Sequence, residues 1–141
     1  MTVNVLRNEA LNCFIMIFKG SPGSFVEVKE IIEKLGLITR SIGERRYLIL
    51  NFSSMDLGSE YLKFFFENIK CHIDKNVIDW CTVSEKPSED YISKVFHYSM
   101  KRVRPVFRSV EQAQTWVKRQ IAEVKKSDRR TRKTGKSGED Q

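Results

Sequence analysis

The chain has 141 residues, 40% hydrophobic and 30% charged, enough apolar matter for one cored domain and too much for global disorder. No stretch approaches the roughly 18–20 apolar residues that span a bilayer, and the first apolar run, residues 13–18, is too short for a signal-peptide core. The formal net charge of +7 is lopsided: residues 118–141 hold nine Lys and Arg against four Asp and Glu, and residues 1–117 hold sixteen against fourteen, so the basicity belongs to the tail and not to a face of the folded part.

The pattern along the chain alternates strand and helix. Residues 2–6 and 11–18 read as a hairpin, and Gly20-Ser21-Pro22-Gly23 breaks its second strand. Ser24 then caps a helix, with Glu27 completing a capping box. Val28, Ile31, Ile32 and Leu35 form one helical stripe, and Gly36 is placed to end it. Residues 47–52 are apolar almost throughout, which predicts a central strand covered on both faces. A polar turn over residues 53–59 leads to a helix from about Glu60 to Ile73. That helix carries Tyr61, Leu62, Phe64, Phe65, Phe66 and Ile69, apolar over more than half its circumference. Val77–Val83 is the next strand, and Pro87 starts a helix with Tyr91, Ile92, Val95 and Phe96 on one side. Pro105 marks a short edge strand ending at Phe107. Ser109 and Gln112 form a second capping box for the last helix, whose buried face is Val110, Ala113, Trp116, Val117, Ile121 and Val124. Strand–helix alternation builds a mostly parallel sheet, because parallel neighbours need a crossover. The expected architecture is therefore a single α/β domain over residues 1–125, a four- to five-stranded mixed sheet with about four helices. A disordered basic tail is expected over residues 126–141, where apolar residues cease.

No spacing in the chain announces chemistry. The strand-to-helix turn at Gly20 lacks the Gly-Lys-Ser/Thr ending of a phosphate-binding loop. Cys13, Cys71 and Cys81 are odd in number, widely spaced and set inside apolar runs, which fits reduced, buried thiols in a cytoplasmic protein rather than a disulfide frame or a zinc site. His72 and His97 have no carboxylate at metal-ligand spacing, so neither a metal nor another cofactor is expected. Cys71 and His72 are adjacent and point to different sides of a helix. Paired carboxylates for acid–base work would need Asp56, Glu60 or Asp79 held near strand ends, and nothing in the sequence brings them together. An enzyme is the least supported class.

The layout resembles the STAS family of anti-sigma-factor antagonists, in particular its SpoIIAA-like (STAS/Sec14-type) branch. The resemblance spans about residues 1–120 and rests most on the segment 103–117, in which Phe107, Ala113, Trp116 and Val117 stand where that branch carries a Phe-bearing edge strand and a helix reaching a Trp followed by an aliphatic. The family implies a non-enzymatic regulatory protein that works by binding another protein. Its regulatory loop corresponds here to Ser53, Ser54, Asp56, Gly58, Ser59 and Glu60. Asp56 matches the family's acidic residue, Gly58 stands at the phosphoserine position, and Ser59 follows one residue later as the candidate acceptor. Tyr61, Phe64 and Phe65 on the following helix are candidates for a partner or ligand surface, the other reading being core packing of a helix buried on two sides. Two alternatives come from other classes. The same aromatic helix suits a carrier of a small apolar ligand or lipid, as the Sec14-type likeness implies. The tail, with Lys125, Lys126, Arg129, Arg130, Arg132 and Lys133, suits weak salt-sensitive binding to nucleic acid or an anionic membrane surface. Exposed sheet edges leave room for a homodimer.

Overall fold

Side chains along the central strands alternate between two separate cores, which is why those strands read as unbroken apolar runs. The computed structural model describes residues 1–20, 23–40, 45–55 and 61–139, the side chains of 39–40 and 129–139 excepted. Its elements are β1 (Thr2–Asn8), a 3-10 turn (Glu9–Leu11), β2 (Cys13–Gly20), α1 (Phe25–Arg40), β3 (Arg46–Met55), α2 (Tyr61–Asn76), β4 (Val77–Val83), a second 3-10 turn (Pro87–Glu89), α3 (Asp90–Met100), β5 (Val106–Phe107) and α4 (Val110–Glu139). The described residues thus form the α/β arrangement expected from the sequence, with a five-stranded mixed sheet and four α-helices.

The sheet order is β1-β2-β3-β4-β5. β1 runs antiparallel to β2, from Thr2 opposite Lys19 to Asn8 opposite Cys13, and every later pair is parallel. Each parallel step crosses over through a helix, and crossovers of one hand that advance in one direction stack their helices on one face. On that face Phe14, Met16 and Phe18 of β2, Leu48, Leu50 and Phe52 of β3 and Trp80 of β4 meet Val28 and Leu35 of α1, the buried side of α2, and Ile92, Phe96 and Met100 of α3. On the other face Cys13, Ile15, Tyr47, Ile49, Cys81 and Val83 are covered by Ala113 and Val117 of α4. Phenylalanines knit the first core together: Phe52 lies 5.4 Å from Phe18, 5.5 Å from Phe66 and 5.5 Å from Phe96, centroid to centroid. Each such ring, fully buried, stabilises the fold by about 1.5–3 kcal/mol.

Both serines cap their helices, and in each the reciprocal bond reaches one residue further back than a capping box requires. Ser24 Oγ accepts from Glu27 N–H at 3.2 Å, and Glu27 Oε2 accepts from Gly23 N–H at 3.0 Å. At α4, Ser109 Oγ accepts from Gln112 N–H at 3.2 Å while Gln112 Oε1 accepts from Arg108 N–H at 2.9 Å. Both reciprocal bonds satisfy the residue before the cap, so each helix also fixes the chain entering it.

Several boundaries differ from the sequence reading. Gly36 does not end its helix, and α1 continues to Arg40. A Cβ at position 36 would stand 2.8 Å from His72 Cε1, so the glycine serves the close crossing of α1 over α2 rather than a stop. β2 begins at Cys13 and not at residue 11, because the chain turns through the left-handed Asn12 (φ 48°) after the 3-10 turn. β3 extends to Met55, since Lys19 and Gly20 of β2 pair with Ser54 and Met55, so residues 53–55 are strand and not turn. The last helix was expected to end near residue 125, and its backbone is helical to Glu139. No proline follows Pro105, and the six Lys and Arg of residues 126–139 favour a helix while Gly135 and Gly138 weaken it. Beyond Ile121, the last apolar side chain packed on the second core, Val124 is half exposed.

Candidate functional site

The C-terminal edge of a parallel sheet is where the connections to the helices gather, and there the chain exposes an aromatic cluster. Phe25 opens α1, and Tyr61 and Phe64 lie in the first turn of α2. The crossovers bring both helix starts to the same end of the sheet. The Phe25 ring stands edge-on to Tyr61 at 4.6 Å and to Phe64 at 5.3 Å. Phe25 nevertheless remains 53% exposed, and its neighbour Val26 67%. Edge-on contacts of this kind add about 0.5–1.5 kcal/mol beyond area burial, so the cluster is a preformed patch rather than three loose side chains.

Beside it, the end of β3 is tied down by polar bonds. Asn51 Oδ1 accepts from Ser53 N–H at 3.0 Å, and Ser53 Oγ accepts from Glu85 N–H at 3.1 Å, joining β3 to the connection after β4. Ser54 is exposed on the same strand end. The remaining regulatory-loop positions, Asp56, Gly58, Ser59 and Glu60, lie outside the described residues. Of the three aromatic candidates for that surface, the structure keeps Tyr61 and Phe64 there and removes Phe65. Phe65 is wholly buried, 5.9 Å from Phe18 and 5.8 Å from Phe66, because three consecutive helical residues span about 200° of the helix and the middle one here points at the sheet. Phe25 was missed by the sequence reading. Its signal was a large aromatic directly after an N-cap, a position normally left to solvent.

The segment that carries the family likeness is a packing seam. Trp116 lies 6.5 Å from Tyr47 and 6.2 Å from Phe107, with the Arg104 guanidinium 5.4 Å over its ring. Arg104 in turn forms a close ion pair with Asp79, and Arg102 reaches the same carboxylate at 3.5 Å. Asp79 is thereby committed to arginines on the edge segment, and the other two carboxylates singled out from the sequence, Asp56 and Glu60, lie outside the described residues.

Between β4 and α3 runs a row of buried polar groups, Thr82, Ser84, Ser93 and His97. Ser84 and Ser93 hydroxyls are 3.1 Å apart, and His97 Nε2 is 3.4 Å from Thr82 Oγ1. Burial first, and then the charge of Arg104, hold the imidazole below its usual range, so it is a neutral hydrogen-bonding group near pH 7. Cys13 is pushed up to about 12 by burial, and Cys81 is also raised chiefly by burial. Neither buried thiol is an ionised nucleophile at neutral pH. Cys71, expected to be buried like the other two, is exposed because it falls on the solvent side of α2, and all three cysteines are free. Among the described residues no three His, Cys, Asp or Glu side chains are grouped to hold a metal, and no helix is long and apolar enough to cross a membrane.

Lys125 and Lys126 of the tail are exposed on α4, while the side chains of Arg129, Arg130, Arg132 and Lys133 lie outside the description. The outer side of α3 departs from expectation. Of Tyr91, Ile92, Val95 and Phe96, which the sequence places on one side of the helix, only Ile92 and Phe96 are buried, and Tyr91 and Val95 face solvent. No family model matches the chain, and no curated protein matches it.

Proposed function

We propose that this chain is a non-enzymatic regulatory module of STAS-like layout, resembling an anti-sigma-factor antagonist, that binds another protein at the C-terminal edge of its sheet. The observation that carries the reading is the preformed Phe25–Tyr61–Phe64 patch, half exposed beside the tied-down end of β3. Large aromatics held rigid on a surface lose little conformational entropy on binding and are the commonest anchors of protein interfaces. The same helix bears on the ligand-carrier alternative. Phe65 and Phe66 are filled around by Phe18, Phe52 and Phe96, so the inner aromatic face of α2 is spent on the core. The three free thiols support a reducing, cytoplasmic setting.

The test is affinity capture with the full chain, wild type against Phe25→Asp, at low and high salt. Phe25→Asp gives up two edge-on ring contacts worth about 0.5–1.5 kcal/mol each, less than the roughly 3–5 kcal/mol expected of the core control Phe65→Ala, and circular dichroism verifies that the variant stays folded. A protein retained by wild type at both salts and lost from Phe25→Asp is the expected result. Partners that bind both chains equally would put the contact elsewhere. An apolar adduct seen by native mass spectrometry, with no captured protein, would favour the carrier instead.

A further inference from the structure

The two most exposed large apolar side chains among the described residues, Tyr98 at 79% and Val103 at 84%, line one open groove of about 860 Å³. The groove follows the C-terminal half of α3, between Glu67 on α2 and the segment that leads to β5. Tyr91, Val95 and Tyr98 recur at i, i+4 and i+7, so an apolar stripe on the solvent side of α3 runs into it. This helix is apolar on two sides, and the sheet uses only the side of Ile92, Phe96 and Met100. A shallower depression of about 360 Å³, lined by Lys63, Lys94, Val95, Tyr98 and Ser99, continues the surface toward α2.

Charge narrows what could lie there. Lys94, Lys101 and Arg102 line the groove against the single carboxylate of Glu67, and Glu67 is within 4.0 Å of Lys63. Lys94 and Lys101 are exposed and in no ion pair among the described residues. The lining thus carries three cations against one carboxylate, and of the three only Arg102 reaches a further carboxylate among the described residues, Asp79 at 3.5 Å. A helix C-terminus would ordinarily oppose an anion with bare carbonyls. Here Lys101 turns left-handed (φ 56°) and donates its N–H to Tyr98 O at 3.1 Å, and Arg102 N–H is donated to His97 O at 3.1 Å. Two of the terminal carbonyls are satisfied, and cationic side chains form the rim.

We infer that this groove docks an acidic segment of another protein that carries apolar anchors. The chain's own tail is the wrong occupant, because its nine cations against four carboxylates would be repelled by the rim. A nucleic acid would use the cations and Tyr98 but would leave Val95 and Val103 without a counterpart, and it is therefore the less fitting anion. The surface shares no residue with the Phe25 patch, so it adds a second contact face, and its failure would leave the patch untouched.

The experiment uses the full ¹⁵N-labelled chain, titrated with an amphipathic Glu/Leu peptide, its Glu/Ser and Lys/Leu counterparts, and oligouridylate. The Glu/Leu peptide should shift the amides of Tyr98, Lys101, Arg102 and Val103. Tyr98→Ala, and Lys94→Glu with Lys101→Glu, should each weaken it about tenfold. The changed side chains are exposed, and an otherwise unaltered spectrum verifies the fold. The Glu/Ser peptide should move only amides of the basic tail. Glu/Leu shifts confined to the tail, equal binding of the Lys/Leu peptide, or the same groove shifts with oligouridylate would each overturn the inference.

Discussion

Replacing Gly36 by alanine sets two opposed terms against each other at the α1–α2 crossing. In an isolated helix interior the change would stabilise by about 1 kcal/mol, because alanine loses less backbone entropy than glycine. In this fold the new methyl would stand 2.8 Å from His72 Cε1, 3.0 Å from Nε2 and 3.3 Å from Nδ1. Contacts that short require the ring or the helix to retreat by several tenths of an ångström. Overpacking of this sort costs about 1–3 kcal/mol, and the middle of that range outweighs the propensity gain by about 1 kcal/mol. Gly36→Ala should therefore lower the melting temperature by about 4 °C. The control is the same substitution in a His72→Ala background. With the ring gone, only the propensity term survives, and Gly36→Ala should raise stability by about 1 kcal/mol over His72→Ala alone. Urea unfolding followed by circular dichroism measures both, and the double-mutant cycle should show a coupling of about 2 kcal/mol. If Gly36→Ala stabilised the wild-type background, or changed both backgrounds equally, the close crossing would not be the reason for this glycine.

Two further outcomes follow from buried groups. Burial, with the charge of Arg104 second, keeps His97 below its usual imidazole pKa, so the unfolded chain takes up this proton first. The contribution is fully present above about pH 6.5 and is lost as pH falls through the window below it, and His97→Gln should flatten that part of the pH–stability curve. Unchanged slopes in the variant would refute the assignment. Among the cysteines, Cys71 is exposed while Cys13 and Cys81 are buried with raised pKa values. Ellman's reagent should label one thiol promptly in the native protein and the other two only on unfolding, and prompt labelling of a Cys71→Ser variant would contradict the packing around Cys13 and Cys81.

Where the sequence was legible, a local rule and the tertiary fold agreed. Ser24 with Glu27 and Ser109 with Gln112 marked helix starts because a cap is satisfied by atoms within a few residues of itself. Val77–Val83 was legible as a strand because β-branched and aromatic residues crowd a run of seven, although α2 reaches Asn76 directly before it. Gly36 misled because a helical glycine can mark a stop or a close neighbour, and the neighbour here is 36 residues away in sequence. Phe65 misled because helical periodicity fixes angles between side chains and leaves open which angle faces the sheet. Tyr91 and Val95 misled for the same reason on α3, and the groove beside Tyr98 went unseen with them.

The sequence by itself determined the alternation of strands and helices, the caps, the doubly covered central strands and the gathering of basic residues beyond residue 117, all of which depend on short-range pattern. Tertiary structure alone decided that α1, α2 and α3 share one face while α4 takes the other, that Phe25 joins Tyr61 and Phe64 in an exposed patch, and that Tyr98, Val103 and their cations meet at one groove. The physical reason is that each of these depends on crossover handedness and on contacts between residues far apart in the chain, and no periodicity within one element encodes which distant element will cover it.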